Sequence, residues 1–91
     1  MYFVYALKSR DRNYIYVGIS NDPAKRLRQH NNGYEKTTKP YRPFTVFLTE
    51  PFSSRLLARK REIFLKSGAG KEFLKRLLRD IVRGLPAGPA A

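Results

Sequence analysis

Two runs near the start of the chain combine aromatic and branched apolar residues in the way that strands do. They span residues 2–8 and 14–20 and read YFVYALK and YIYVGIS, and residue types of this kind are enriched in strands. The polar segment SRDRN lies between them and favours a turn. The pattern therefore predicts an antiparallel hairpin.

The register of this hairpin decides which side chains meet. If the hairpin closes symmetrically about the polar segment, positions whose numbers sum to 21 lie opposite each other. Tyr5 then faces Tyr16, and Phe3 faces Gly18 on the same side of the hairpin. Gly18 leaves space there for a phosphate backbone or for the following helix. The other face of the second strand carries core residues, namely Ile15, Val17 and Ile19.

A short helix is predicted over residues 23–31. Asp22 is a favourable N-cap, and Pro23 suits the first helical position. Arg26 and His30 are four residues apart and therefore share one face of this helix. A histidine that titrates near neutrality would then lie beside a permanent cation.

Residues 33–43 begin with Gly33 and carry Pro40 and Pro43 near their end, and this composition predicts an ordered loop. Basic residues are interleaved with aromatic ones in this loop, namely Tyr34, Lys36, Lys39, Tyr41 and Arg42. Such interleaving suits a surface that binds nucleic acid. A solvated loop with its tyrosines packed underneath explains the same pattern equally well.

The second half of the chain predicts a third strand over residues 44–50, a helix from Ser53 or Ser54 to about residue 66, and a helix over residues 70–82. The segment KSGAGK separates the two helices. The apolar residues expected to form the buried face of the first helix are Leu56, Leu57, Ile63 and Phe64, and those of the second are Phe73, Leu74, Leu77, Leu78 and Ile81.

The element order is thus β-β-α-β-α-α, which predicts an α+β fold: a small three-stranded, largely antiparallel sheet flanked by helices. Residues 1–82 are expected to form one domain, and residues 83–91 a flexible tail rich in Gly, Pro and Ala.

Composition narrows the possible functions. The chain has 91 residues and no cysteine, so it holds neither a disulfide nor a cysteine-ligated zinc ion. No apolar run is long enough to span a bilayer, so we expect a cytoplasmic protein without a membrane partner. The segment GAGKEF lacks the spacing and the Ser or Thr of a phosphate-binding P-loop.

The net charge of the chain indicates which class of molecule it binds. The chain has 19 Lys and Arg against 7 Asp and Glu, a net charge of +12. Such a balance favours a polyanion, because every neutralised phosphate releases counterions. Nucleic acid is the leading candidate.

Glu62 is a lone acidic residue in a basic helical segment, ARKREIFLK. One explanation is an i,i+4 ion pair with Lys66. The other is that Glu62 is a carboxylate ligand for Mg²⁺, an ion that proteins often hold by one or two carboxylates, waters and substrate phosphates.

Taken in order, these residues form a recognisable combination: FVY at 3–5, YVG at 16–18, Arg26 and His30 in KRLRQH, and the downstream Glu62. The combination resembles the GIY-YIG nuclease superfamily, and most of all its small single-domain members. The likeness covers about residues 1–80.

The resemblance implies a metal-dependent endonuclease that cuts DNA. It assigns Tyr5 as the general base, Tyr16 as the group that orients water or phosphate, Arg26 as the stabiliser of the pentacoordinate phosphate and His30 as an aid to proton transfer. It also implies that Glu62 holds a single divalent ion, Mg²⁺ or Mn²⁺. Gly18 belongs to the second motif, and the cations expected to bind nucleic acid are Arg28, Lys36, Lys39, Arg42, Lys66 and Lys71.

Two departures from the family pattern stand out. The Gly-Ile of the first motif is Phe3-Val4 here, although its tyrosine is kept. Many members also carry a late asparagine near the site, whereas this chain has no Asn after residue 32. Lys71 is a candidate for that supporting role.

Three functions follow from these observations. The first is an endonuclease of repair or recombination type, selective for DNA structure rather than sequence, since the chain has no room for a long recognition surface. The second is a basic module that binds DNA or structured RNA without useful catalysis. The third is a ribosome-bound or otherwise RNA-directed protein.

Overall fold

The fold was obtained as a computed structural model, which describes residues 1–84. Its elements are β1 (Tyr2–Ser9), β2 (Ile15–Ser20), α1 (Pro23–Asn31), a 3₁₀ turn (Lys39–Tyr41), β3 (Phe44–Phe52), α2 (Arg55–Lys66) and α3 (Gly68–Val82). The predicted order of strands and helices is confirmed. All but the first two residues of the predicted tail, 83–91, lie outside the described part of the chain.

The three strands form one antiparallel sheet in the order β2-β1-β3, so the predicted α+β class is confirmed. The predicted β1–β2 pairing is wrong by two positions, because Tyr5 lies opposite Gly18 and Leu7 opposite Tyr16. The cause is the turn: Ser9 N–H donates to Tyr14 O at 3.0 Å, so the turn occupies residues 10–13. A shift of two keeps every side chain on its predicted face.

Helices cover both faces of the sheet, which is therefore the middle layer. On one face Val4, Ala6 and Val17 pack against α2 and α3 through Ala58, Leu65 and Leu74. On the other face Tyr5, Leu7 and Phe44 form a second cluster, which Leu27 of α1 joins. Most of β1 is buried in consequence, and a strand buried on both faces is a rigid base for a site.

Strand β3 forms one edge of the sheet and is less regular than β1. Its register against β1 shifts between Ala6 and Leu7, which leaves Phe47 as the extra residue of a bulge. Pro51, near the end of the strand, lies opposite Phe3. Proline has no N–H for a ladder, and edge strands are where sheets tolerate it.

Helix α1 is fixed at both ends. The Asp22 carboxylate accepts the Lys25 N–H at 3.1 Å, as predicted for an N-cap. At the other end the Asn31 side-chain amide bonds the backbone of Phe44 twice, accepting its N–H at 2.6 Å and donating to its carbonyl at 3.2 Å. These bonds attach α1 to the start of β3 and set the position of the preceding His30.

The predicted buried face of α2 is wrong. Its buried residues are Ala58, Glu62 and Leu65, while the four apolar residues expected inside are exposed: Leu56, Leu57, Ile63 and Phe64. Charged residues occupy the inner face because each finds partners there. Arg61, for example, forms a two-point ion pair with Glu50 of β3, at 2.8 and 3.0 Å.

One residue, Ser67, joins α2 to α3, so the predicted break over KSGAGK is too long. The Ser67 hydroxyl donates to the Phe64 carbonyl at 2.5 Å and accepts the Gly70 N–H at 3.2 Å. It therefore ends one helix and begins the next. In α3, Leu74 and Leu77 are buried as predicted, whereas Ile81 is exposed. Within residues 1–84 no helix is long and apolar enough to cross a membrane.

Candidate active site

Three rings from β1, β2 and α1 meet on the face of the sheet that α1 covers. The centroid of the His30 ring lies 4.6 Å from that of Tyr16 and 6.4 Å from that of Tyr5. The two tyrosine centroids are 6.2 Å apart, and the Tyr5 hydroxyl lies 3.5 Å from His30 Nε2. The structure thus brings together three of the four side chains that the resemblance assigns to catalysis.

Gly18 makes this cluster sterically possible. A Cβ at position 18 would lie 2.7 Å from the Tyr5 hydroxyl oxygen and 3.0 Å from Tyr16 Cε2. The space that was expected to admit a phosphate or the helix is therefore filled by the Tyr5 hydroxyl group. The absence of a side chain lets the two tyrosine rings approach each other.

His30 is completely buried and is held from both sides of its ring. Its Nδ1 lies 3.0 Å from the Thr38 hydroxyl, and its Nε2 faces Tyr5. Burial lowers the pKa of His30, with the positive charge of Arg26 acting in the same direction and Glu35 opposing both. Burial therefore favours the neutral form of the imidazole.

Arg26, the fourth assigned side chain, is half-buried on α1. Its guanidinium donates to Gln29 Oε1 at 2.6 Å and forms an ion pair with Glu35. Burial tends to lower the pKa of Arg26, but the ion pair with Glu35 and the neighbouring Tyr5 outweigh burial and raise it. The group is a fixed cation whose direction is set by Gln29 and Glu35.

Tyr5 is only 1% exposed. Burial raises its pKa to about 12, although Arg26 acts to lower it. At neutral pH this tyrosine is a neutral phenol, so it accepts a proton only if it passes its own proton to a neighbour. His30 Nε2 is the neighbour within reach.

Glu62 lies on α2 and reaches the site from the β2 edge of the sheet. Together with Tyr16 and Gly18 it lines a surface depression, the Glu62 depression, whose other residues are Ile19, Arg55, Leu56 and Arg59. Its two carboxylate oxygens bond Arg59 at 2.8 Å and Lys66 at 3.1 Å. The ion pair that was one explanation of Glu62 is therefore present.

The Glu62 carboxylate is the group that could hold a metal ion. Within residues 1–84 no three His, Cys, Asp or Glu side chains cluster tightly enough to hold a metal ion by themselves. A single carboxylate at the wall of an open depression does fit an ion that takes its other ligands from water and phosphate. The ion would have to replace Arg59 and Lys66 as the partners of Glu62.

A second depression lies on the other side of Tyr16 and holds three lysines. This Lys71 depression is lined by Asn13, Tyr14, Ile15, Tyr16, Val17, Leu65, Lys66, Lys71, Leu74 and Lys75. Tyr16 is common to both depressions. Cations therefore flank Tyr16 on either side along the β2 edge, in the arrangement that a phosphate backbone passing the site would need.

The loop after α1 places its predicted nucleic-acid contacts on the surface. Arg28, Lys36, Lys39 and Arg42 are all exposed. Of the two loop tyrosines, Tyr41 stacks on Tyr14 with centroids 4.0 Å apart, whereas Tyr34 is 69% exposed. Packing thus explains Tyr41, whereas Tyr34 remains a prediction.

Sequence reasoning missed several residues of the site. Arg55 and Arg59 share the helical face of Glu62 at i−7 and i−3, a spacing that could have indicated them. Lys75 follows Lys71 by one turn in the same way. Thr38 and Glu35, in contrast, carry no local signal, because their contacts to α1 depend on how the loop folds.

The sequence is similar to one known family and to several known proteins. The family model described as the GIY-YIG catalytic domain matches residues 1–75. A UPF0213 protein of Staphylococcus saprophyticus is 35% identical over 75 residues, covering 81% of this chain and 90% of the relative. A UPF0213 protein of Halobacterium salinarum is 38% identical over 77 residues, covering 81% and 99%. The UPF0213 protein YazA of Bacillus subtilis is 36% identical over 66 residues, covering 71% and 66%. No solved structure matches.

Proposed function

This chain belongs to the GIY-YIG family, and on that premise we propose that it is a metal-dependent endonuclease that hydrolyses phosphodiester bonds in DNA. The observation that carries the proposal is the meeting of Tyr5, Tyr16 and His30 beside the depression that Glu62 lines. Hydrolysis of a phosphodiester needs a route for the proton of water and positive charge at the phosphate. The site supplies groups for both.

The two tyrosines have different roles in this proposal. Tyr16 is half-buried and lines both depressions, so it is the tyrosine that touches the phosphate or the attacking water. Tyr5 lies behind it against Gly18, with a pKa of about 12. In this proposal the attacking water meets the Tyr5 hydroxyl beside Gly18, which lines the Glu62 depression. Tyr5 takes the proton of that water and gives its own proton to His30 Nε2, so the base that finally holds the proton is the imidazole.

Charge stabilisation falls to Arg26 and to the ion. As the water oxygen bonds to phosphorus and the scissile P–O bond breaks, Arg26 offsets the negative charge that develops on the phosphate oxygens. A divalent ion, Mg²⁺ or Mn²⁺, when bound at Glu62, adds Lewis-acid stabilisation of the same phosphate. Arg55 and Arg59 on one side, and Lys66, Lys71 and Lys75 on the other, hold the neighbouring phosphates.

The exposed cations indicate the class of substrate. Cations flank Tyr16 along the β2 edge, and the loop after α1 adds the exposed Lys36, Lys39 and Arg42. Contacts of this kind go to phosphates and carry little base information. The proposed substrate is therefore DNA distinguished by its structure, such as a nick, flap or branch, within repair or recombination in the cytoplasm, and the affinity should fall steeply with salt.

A cleavage panel tests the proposal. Duplex, nicked, flap and branched DNA, with structured RNA in parallel, are incubated with Mg²⁺, Mn²⁺ or EDTA. The expected result is metal-dependent cutting that Glu62→Gln and Arg26→Ala abolish. Glu72→Gln is the matched control, because Glu72 is exposed on α3 and lines neither depression. Equal cutting by wild type and Glu62→Gln would overturn the assignment.

Two observations favour a second candidate, a basic module that binds nucleic acid without cutting it. Both oxygens of Glu62 are already neutralised by Arg59 and Lys66, and the pKa of Tyr5 is raised rather than lowered. This candidate predicts salt-sensitive binding in the same panel, no cutting with any metal, and no effect of Glu62→Gln on binding.

A further inference from the structure

The loop after α1 sends one side chain into the site that the proposed mechanism has not used. Thr38 is completely buried, although it lies in a segment whose neighbours Thr37 and Lys39 are exposed. Its hydroxyl oxygen lies 3.0 Å from His30 Nδ1 and 3.5 Å from the backbone carbonyl oxygen of Glu35, which can only accept a hydrogen bond. A buried hydroxyl with these two neighbours constrains where the protons of the ring can be.

A neutral imidazole carries one N–H, on either Nδ1 or Nε2. The Thr38 hydroxyl has one hydrogen, and the Glu35 carbonyl can only accept. If that hydrogen goes to the carbonyl, Thr38 offers a lone pair to the ring and His30 must donate from Nδ1. His30 Nε2 then carries a lone pair that faces the Tyr5 hydroxyl.

We infer that Thr38 is a positioning residue that holds His30 as the Nδ1–H tautomer, so that Nε2 is free to accept the proton of Tyr5. This inference rests on the proposed function for its catalytic consequence, although the tautomer itself does not depend on any activity. The opposite tautomer would present an N–H to Tyr5, and the proton could not leave in that direction.

Hydrogen bonds along the loop fix the position of Thr38. The Tyr34 N–H donates to Gln29 O at 3.1 Å, the Lys39 N–H to Glu35 O at 2.9 Å, and the Ser9 hydroxyl to Tyr41 O at 2.5 Å. These bonds attach the segment to α1 and to the end of β1. The Glu35 side chain meanwhile pairs with Arg26. One short segment therefore orients two of the proposed catalytic side chains, His30 through Thr38 and Arg26 through Glu35.

The charged and titratable groups around His30 come from four of the elements packed on it, while β3 contributes the apolar ring of Phe44. They are Tyr5 of β1, Tyr16 of β2, Arg26 of α1 and Glu35 of the loop. None of them bonds Nδ1, for which the structure records Thr38 as the partner. Removal of the Thr38 hydroxyl should therefore act on the tautomer directly.

The tautomer can be read without substrate from the ¹⁵N chemical shifts of the imidazole, and the chain has one histidine to assign. The wild-type protein, held at a pH above the pKa of His30, is expected to show a protonated Nδ1 and an unprotonated Nε2. Thr38→Val should lose this preference and Thr38→Ser should keep it. Thr37→Val is the matched control and should leave the spectrum unchanged.

The same variants are then assayed for cleavage. Thr38→Val should lower kcat at least tenfold with little change in KM, and Thr38→Ser should restore most of it. A wild-type spectrum with the proton on Nε2 would overturn the inference even if Thr38→Val failed to fold. An unchanged kcat in a folded Thr38→Val would overturn it as well. The Nδ1–H tautomer in a protein that cuts nothing would refute the proposed function but leave the Thr38–His30 assignment standing.

Discussion

The hydroxyl oxygen of Tyr5 lies where a side chain on Gly18 would have to be, 2.7 Å from the position of an added Cβ. Such a separation is shorter than real Cβ contacts allow, so the two residues are matched: the ring of Tyr5 needs a glycine opposite it. The pairing of Tyr5 with Gly18 across β1 and β2 is what creates this contact.

Gly18→Ala is expected to displace Tyr5 and to cost about 1–3 kcal/mol of unfolding free energy, the usual cost of overpacking a core. Urea unfolding measures this loss, and the cleavage rate should fall with it. Gly68→Ala is the control, because a Cβ at position 68 meets nothing within 4 Å. A Gly18→Ala protein as stable and as active as Gly68→Ala would contradict the contact.

The Arg26–Glu35 pair should couple in a double-mutant cycle. Both side chains are about one-third exposed, so we expect a coupling free energy of about 1 kcal/mol rather than the larger value of a buried pair. The cycle compares Arg26→Met, Glu35→Gln and the double variant by urea unfolding. The exposed pair of Lys75 and Glu72, 4.0 Å apart, is the reference and should couple by a few tenths of a kcal/mol at most. Equal coupling in the two cycles would mean that Glu35 does not hold Arg26.

Metal binding should compete with the two cations on Glu62. Lys66→Met removes a positive charge 3.1 Å from one of the carboxylate oxygens. Two unit charges at such a separation interact by about 1 kcal/mol in water, so the affinity for Mn²⁺ without nucleic acid should rise about fivefold. Titration calorimetry or electron paramagnetic resonance measures the Kd. Lys75→Met should leave it unchanged and Glu62→Gln should abolish binding, whereas weaker binding by Lys66→Met would count against Glu62 as the ligand.

Stability should depend on pH through His30. Burial lowers the pKa of His30 in the folded protein, whereas the unfolded chain keeps a value of about 6.5. Between the two values the unfolded chain binds the extra proton, so the free energy of unfolding rises with pH. The contribution is fully present above about pH 6.5 and is lost as the pH falls through the folded pKa.

Two measurements test this dependence. The imidazole C–H signal of the single histidine should titrate below its ordinary pKa. The free energy of unfolding, measured with urea at several values between about pH 8 and about pH 5, should change less with pH for His30→Asn than for the wild type. A His30 signal that titrates at or above the ordinary value would contradict the burial of a neutral ring.

The two faces of α2 should respond differently to truncation. Leu65 is fully buried, and Leu65→Ala should cost about 2–5 kcal/mol of unfolding free energy. Ile63, two residues away, is 57% exposed, and Ile63→Ala should cost about 0.5 kcal/mol or less. Urea unfolding of both variants shows which face of α2 is buried. A larger loss of unfolding free energy for Ile63→Ala than for Leu65→Ala would mean that the face predicted from the sequence is the buried one.

The elements with strong local signals are the ones that the sequence predicts well. The Asp22 cap and Pro23 place α1 to the residue, and runs of aromatic and branched apolar residues identify the first two strands. The order of the elements then leads to the fold class. Because Arg26 and His30 lie on one helical face and Tyr5 and Tyr16 on one side of a hairpin, the cluster of aromatic rings could also be anticipated.

What the sequence missed depends on partners far along the chain. The inner face of α2 carries Arg61 and Glu62, whose charges are satisfied by Glu50 on β3 and by neighbours on α2. Counting apolar residues therefore selected the wrong side of the helix. The hairpin register depended on one bond from Ser9 to Tyr14, and the burial of Thr38 depended on the path of an irregular loop.

Pro51 has a consequence for the behaviour of many copies together. A protein of net charge +12 gathers along a polyanion, and its molecules then stand side by side at a local concentration far above that of the bulk solution. Under such crowding an open sheet edge is a template on which the edge of another molecule can pair and begin a fibre. Pro51 has no N–H, so the donors of the β3 edge are incomplete at that end of the strand. Molecules bound side by side on nucleic acid should therefore stay separate and exchangeable rather than pair edge to edge.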